Sequence, residues 1–138
     1  MKTNSTFSLV TLALAAVLAP MHLAAQSSNL TVTIPFNFTM GAKALPAADY
    51  RVTISGDVIH LDSDDGNAHM VSLAIAVGAE GRYVQPKLVF KQYGDRYVLA
   101  QVWGGGDRGN QLPKSAVERE LSAKNERPTP VVLLASRR

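Results

Sequence analysis

With 138 residues, nearly half of them apolar, the chain is long enough for one small core, and it must hold that core together without a single cysteine. The missing thiols exclude a disulfide framework, a thiolate metal site, a thiol nucleophile and a leader lipidated through cysteine. The formal charge of +3 is small and its carriers are scattered: Lys87, Lys91, Arg96 and Arg108 stand apart, and 118–126 mixes both signs. The clustered basic stripe that neutralises phosphates is lacking, so no nucleic-acid partner is expected.

Lys2 precedes an apolar run from Phe7 to Ala19, and Ala24 and Ala25 stand just before Gln26. A basic start, a short apolar centre and a small-residue exit read as a secretory signal peptide over residues 1–25. A membrane span needs ~20 predominantly apolar residues, whereas Pro20 and His22 interrupt this run early, and no later segment approaches that length. Cleavage removes Lys2 and no acid, leaving 13 basic and 11 acidic residues. The remainder, 26–138, is expected to be a single β-rich domain, exported to the periplasm or beyond the cell, with no transmembrane segment.

Residues 26–29 read as a loose polar entry. In Val32-Thr-Ile-Pro-Phe-Asn-Phe38, Val32, Ile34, Phe36 and Phe38 share one face, while Thr31, Thr33, Asn37 and Thr39 share the other. Pro35 cannot donate to a ladder, which places this strand at an edge or bulges it there. Asn29-Leu-Thr31 and Asn37-Phe-Thr39 match the glycosylation triplet, which matters only in a eukaryotic secretory pathway. After a turn-rich stretch from Gly41 to Ala48, Tyr50, Val52 and Ile54 resume the alternation. Gly56-Asp57 is then a two-residue turn into Val58–Leu61.

Asp62-Ser-Asp-Asp-Gly-Asn67 resembles a calcium loop only superficially. Gly66 is fifth rather than sixth, and no glutamate follows at the twelfth position. The plainer expectation is a three-residue hairpin loop, Asp64-Asp65-Gly66, with Gly66 left-handed. That register pairs Ser63 with Asn67 and gathers Ile59, Leu61, Val71, Leu73 and Ile75 on one buried face. It also turns His60 away from His69, so the two cannot share a metal ion. A four-residue loop would bring His60, His69 and Asp62 to one face, at the expense of scattering the apolar residues. No metal or other cofactor is expected.

Ala68–Val77 reads as a long apolar strand and 78–86 as a loop. Lys87–Tyr93 and Arg96–Trp103 flank Gly94-Asp95, the clearest tight-hairpin signal in the chain. Gly104-Gly-Gly-Asp-Arg-Gly109 satisfies G-x-G-x-x-G literally. Asn110–Pro113 intervenes where a pyrophosphate-binding helix should open, so the stretch is expected to be a flexible connection. Ser115-Ala-Val-Glu118 forms a capping box for a helix over about 113–124, with Val117 and Leu121 on one face and Glu120 facing Lys124. Pro128 and Pro130 end it, and Val131–Ala135 reads as a closing strand.

These elements predict an all-β fold, an antiparallel β-sandwich or partly open barrel of roughly seven or eight strands, with one short C-terminal α-helix. Three segments also carry a resemblance: Val32-x-Ile-Pro-Phe-x-Phe38 with Leu45-Pro-Ala47 and Tyr50; Leu88-Val-Phe90 with Tyr93-Gly-Asp95 and Tyr97; and Trp103–Gly109 followed by Ser115-x-x-Glu118. Together they resemble a group of small exported proteins of environmental Gram-negative bacteria. Ala48 stands where such sequences usually have Gly, and Val98 where Phe is common. The resemblance implies export but transfers no site residue.

Four functions are weighed, the weakest being an outer-membrane barrel, whose strands need ~9–11 residues with aromatic girdles where most strands here are shorter. The foremost is a non-catalytic binding or structural module of the cell envelope, whose partner is an envelope protein or surface component. The alternative is a periplasmic carrier of a small apolar ligand, lined by Phe90, Tyr93, Tyr97 and Trp103, against the plainer reading that these aromatics fill the core. A hydrolase would need a base beside a nucleophile. Only His60 and His69 near Ser63 and Ser72 offer one, at spacings any strand produces, so no enzyme is expected.

Overall fold

The structure, a computed structural model, describes residues 26–138. The leader expected over 1–25 lies outside the described residues. Strand pairing starts at once rather than after a polar entry. β1 (Ser27–Ile34) buries Leu30, Val32 and Ile34 and pairs antiparallel with 48–55 along its whole length. Pro35 ends it. The next strand, β2 (Phe38–Met40), belongs to the other sheet, hairpins with β3 (Lys43–Leu45), and touches 96–103 in parallel through Thr39 and Val98. The run Val32–Phe38 is therefore two strands in two sheets, not one edge strand. Proline sits where the chain leaves one ladder for another, and no N–H is needed there.

β4 (Ala48–Ser55) and β5 (Val58–Ser63) follow around Gly56, at φ +58°, as the two-residue turn requires. The chain continues as β6 (His69–Leu73), β7 (Ile75–Gly78), β8 (Lys87–Tyr93), β9 (Arg96–Trp103), β10 (Arg108–Gln111), α1 (Ala116–Ala123), β11 (Thr129–Leu134) and β12 (Ser136–Arg137). One sheet has the order β12-β1-β4-β5-β6. The other runs β11-β8-β9-β10-β7, with β2 and β3 attached to β9.

The two sheets join at both sides. β6 continues into β7 through Ala74, whose N–H reaches the Asp57 carbonyl at 2.8 Å; β11 continues into β12 through Ala135, bonded to the Pro86 carbonyl at 2.9 Å. A strand that bends at a small residue and changes sheets makes each corner. The result is an all-β sandwich rather than a closed barrel. Its twelve strands among the described residues outnumber the expected seven or eight because the chain changes sheets at Pro35 and at Ala74, and because β3, β10 and β12 lie where no strand was expected.

The hairpin between β5 and β6 departs from expectation. Its loop has four residues, 64–67, and Asp62, Leu61 and His60 face His69, Met70 and Val71. The Ser63 hydroxyl causes the slip. It accepts the Ala68 N–H at 2.8 Å and donates to the Asp65 carboxylate, which also takes the Asn67 N–H at 3.0 Å. Side-chain bonds of this kind set turn length locally. A one-residue slip turns a strand over: Met70 and Ser72 now face inward, while His69, Val71 and Leu73 face out.

Between the sheets, Leu30, Val52, Ile59 and Leu61 meet Leu88, Phe90, Leu99 and Val102. Ala100 has no partner in the β8–β9 ladder, since Val89 faces Gln101 and Phe90 faces Leu99. This bulge keeps Leu99 and Val102 both inward while Trp103 turns out. The stretch expected to be a flexible connection ends instead in β10, held between β9 and β7. The glycines lead into a strand, not a phosphate-binding helix. Gly109 lies under the Trp103 indole, where any Cβ would meet the ring. The helix covers the outer face of the second sheet and is shorter than the expected 113–124. Ser115 caps it by accepting the Glu118 N–H at 3.0 Å, and Leu121 and Val117 pack on Tyr93 and Val98.

Candidate functional site

The four aromatics proposed to line one ligand site do not surround a common space. Phe90 is fully buried between the sheets, edge-on to Phe36 and Phe38 at 5.0 and 5.4 Å. Tyr97 stacks on Phe36 at 3.8 Å, at the rim of that core. Tyr93 points out of the second sheet, beneath the helix. Trp103 is also on the outer side, with Lys87 Nζ 5.7 Å from its ring and its N–H donating to Gln101. Phe90 and Tyr97 thus belong to the core and its rim, while Tyr93 and Trp103 serve two separate outer contacts. Aromatic burial accounts for all four.

The polar groups sort in the same way. Glu118 is the one buried carboxylate among the described residues, its side chain only 4% exposed. It does not close the expected capping box. Its Oε1 instead accepts from Lys91 Nζ at 2.9 Å and from the Tyr93 hydroxyl at 3.3 Å, fastening the helix to β8. Beside it a cavity of about 130 Å³ is lined by Val89, Ala100, Gln101, Leu112 and Lys114 among others. Sequence periodicity could not find this pairing, since Lys91 and Glu118 are far apart in the chain.

The histidines are placed differently from expectation. His60, Asp62 and His69 all project from the outer face of the first sheet, because the loop has four residues. His69 Nδ1 bonds the Asp62 carboxylate. No group of three metal-ligating side chains gathers among the described residues. The serine hydroxyls near the histidines are turned to the backbone or to a carboxylate: Ser63 holds the hairpin loop and Ser72 donates to the Leu73 carbonyl. Neither is hydrogen-bonded to an imidazole. Asp65 is held below the ordinary carboxylate range, first by the Ser63 hydroxyl and then by the amides of Asn67. Burial pushes the Tyr50 phenol above its usual value, with Asp65 adding repulsion, and its hydroxyl donates to the Pro46 carbonyl at 2.7 Å.

At one end of the sandwich the Gly56-Asp57 turn, Gly104 and Gly105, and Gln26, Ser28, Arg108 and Asn110 border an open cleft of about 340 Å³. The more unusual surface is the corner made by β6 and β7. Leu73 is 70% exposed, Ile75 68% and Val71 42%. The stretch 69–78 carries no Lys, Arg, Asp, Glu or Pro, and it forms the free edge of both sheets. Edge strands are usually guarded by charge or proline. The opposite corner has Pro130 and Arg137 near its ends, yet it too exposes Val132 at 50% and Leu134 at 68%. At the β6–β7 corner a single guard appears: Lys43 Nζ bonds the His69 carbonyl at 2.8 Å, at the start of the strand.

Among the described residues no helix is long and apolar enough to cross a membrane. No protein-family model, curated protein or solved structure matches this chain.

Proposed function

We propose that the mature chain is an exported, non-catalytic β-domain of the cell envelope, a binding or structural module that makes contact through the corner Val71–Leu73–Ile75. The observation that carries this reading is the exposure of those three apolar side chains on an uncharged double edge. Contiguous apolar surface of that kind marks interaction sites in soluble domains, and a free edge can take an added strand. The leader pattern and the resemblance to exported proteins support the location. The filled core around Phe90 weighs against a carrier of an apolar ligand between the sheets.

The test is fractionation of the source cells with antibody to the mature chain, followed by co-sedimentation of purified protein with isolated envelopes. Processing at residue 25, recovery in the periplasm or medium, and association lost in Leu73→Lys are the expected results. Cytoplasmic, unprocessed protein would overturn the location. Association unaffected by Leu73→Lys would overturn the contact surface.

A further inference from the structure

We infer that Gln26 is a modification site: once the leader is removed, the new chain end closes on itself into a lactam ring, pyroglutamate, with loss of ammonia. The inference goes beyond the contact surface and rests on processing after Ala25, because only then does Gln26 carry an α-amine. The α-nitrogen attacks Cδ of its own side-chain amide. A Cδ–N bond forms, the Cδ–Nε2 bond breaks, and the proton shed by the α-nitrogen leaves with the ammonia. Nothing is oxidised or reduced, and no co-reactant is needed.

The placement of the residue allows the ring to close. Gln26 is exposed and lies outside any strand, since pairing in β1 begins at Ser27, opposite Ser55. The ring takes only the nitrogen, Cα and side-chain carbons of Gln26, so its carbonyl and the paired Ser27 keep their places. Among the described residues the Gln26 amide has no hydrogen-bond partner, which sets it apart from two other glutamines. Gln92 Nε2 donates to the Gly94 carbonyl at 2.9 Å, and Gln101 Oε1 accepts from the Trp103 indole at 3.1 Å. Cyclisation at Gln26 therefore gives up no contact of the fold.

The surroundings leave the amine reactive. Attack needs the neutral form, and an α-amino group with an ordinary pKa of ~8 is about one-tenth neutral at pH 7. Gln26 borders the open end cleft together with one cation, Arg108, and one anion, Asp57, so no single sign of charge there locks it as the ammonium. The lactam removes the positive charge that processing creates and leaves an aminopeptidase no amine to grip. That end matters to the fold, because β1 is an interior strand between β12 and β4.

Intact-mass spectrometry and Edman sequencing of protein taken directly from the exported fraction of the source cells, without storage or digestion, test this. The expected mass is that of residues 26–138 less one ammonia, with Edman degradation blocked. Gln26→Ala, which disturbs no hydrogen bond among the described residues, should be processed at the same bond, keep its full mass and be sequenced from its first residue. Residues 26–138 at full mass, with Gln26 readable by Edman degradation, would overturn the inference and leave the export reading standing. A mature end at any other residue would overturn it as well. Protein that keeps residues 1–25 would overturn the export reading and the inference together.

Discussion

Gly109 is required by its neighbour rather than by its own backbone: the Trp103 indole occupies the space a side chain would need. Gly109→Ala must displace a buried ring or the strand, and overpacking of this kind costs about 2 kcal/mol; urea denaturation will measure it. Asp65 acts through hydrogen bonds to Ser63 and Asn67 that favour its charged form and depress its pKa. A depressed carboxyl pKa contributes stability above the unfolded value, and that stability is lost as the pH falls through the folded value. The melting temperature of the wild type should therefore drop more steeply below about pH 4 than that of Asp65→Asn. Equal slopes would show that the loop bonds do not select the carboxylate.

At the level of elements, α1 is too short to stand alone and depends on what it touches. Leu121 and Val117 supply the apolar contact, and Glu118 supplies a charged one to Lys91 and Tyr93. Breaking such a pair from one side leaves a buried charge unmatched, whereas replacing both partners with apolar groups can be nearly neutral. Lys91→Ala should destabilise by about 2 kcal/mol, discounted because the lysine is one-third exposed. Lys91→Met with Glu118→Leu should recover most of that loss, and a double-mutant cycle reads the coupling directly. The hairpin from β5 to β6 carries a related lesson. Counting apolar residues favours a three-residue loop, yet Ser63 and Asp65 hold four, and the difference decides whether Val71 and Leu73 are core or surface.

For the molecule as a whole, the central strands β4 and β9 have neighbours on both sides, while the β6–β7 corner is an edge in each sheet. Hydrogen exchange should be slowest in β4 and β9 and fastest along 69–78, because edges open without breaking the core. Uniform protection would mean that the corner is already covered. Phe90→Ala should destabilise the protein by about 3–4 kcal/mol, as expected where a fully buried ring leaves a cavity. Chemical denaturation checks this, and native mass spectrometry of the same variant tests whether the opened space takes up an apolar molecule.

Period-two alternation, the Gly56-Asp57 and Gly94-Asp95 turns, and the Ser115 cap were legible in the linear chain, and they suffice for an all-β fold with one helix. These are local signals: each depends on backbone geometry within a few residues, which composition reports directly. What folding alone decided is where distant segments meet. The departure of the chain at Pro35 into a second sheet, the corners at Ala74 and Ala135, and the contact of Glu118 with Lys91 depend on two sheets finding each other in space. So does the fate of the four aromatics, which alternation marks as buried without saying on which side of a sheet. The uncharged run 69–78 was visible as a strand, but its apolar face became surface through a one-residue register set by a serine and an aspartate. The apolar pattern favours the other register, and the hydrogen bonds of the loop override it.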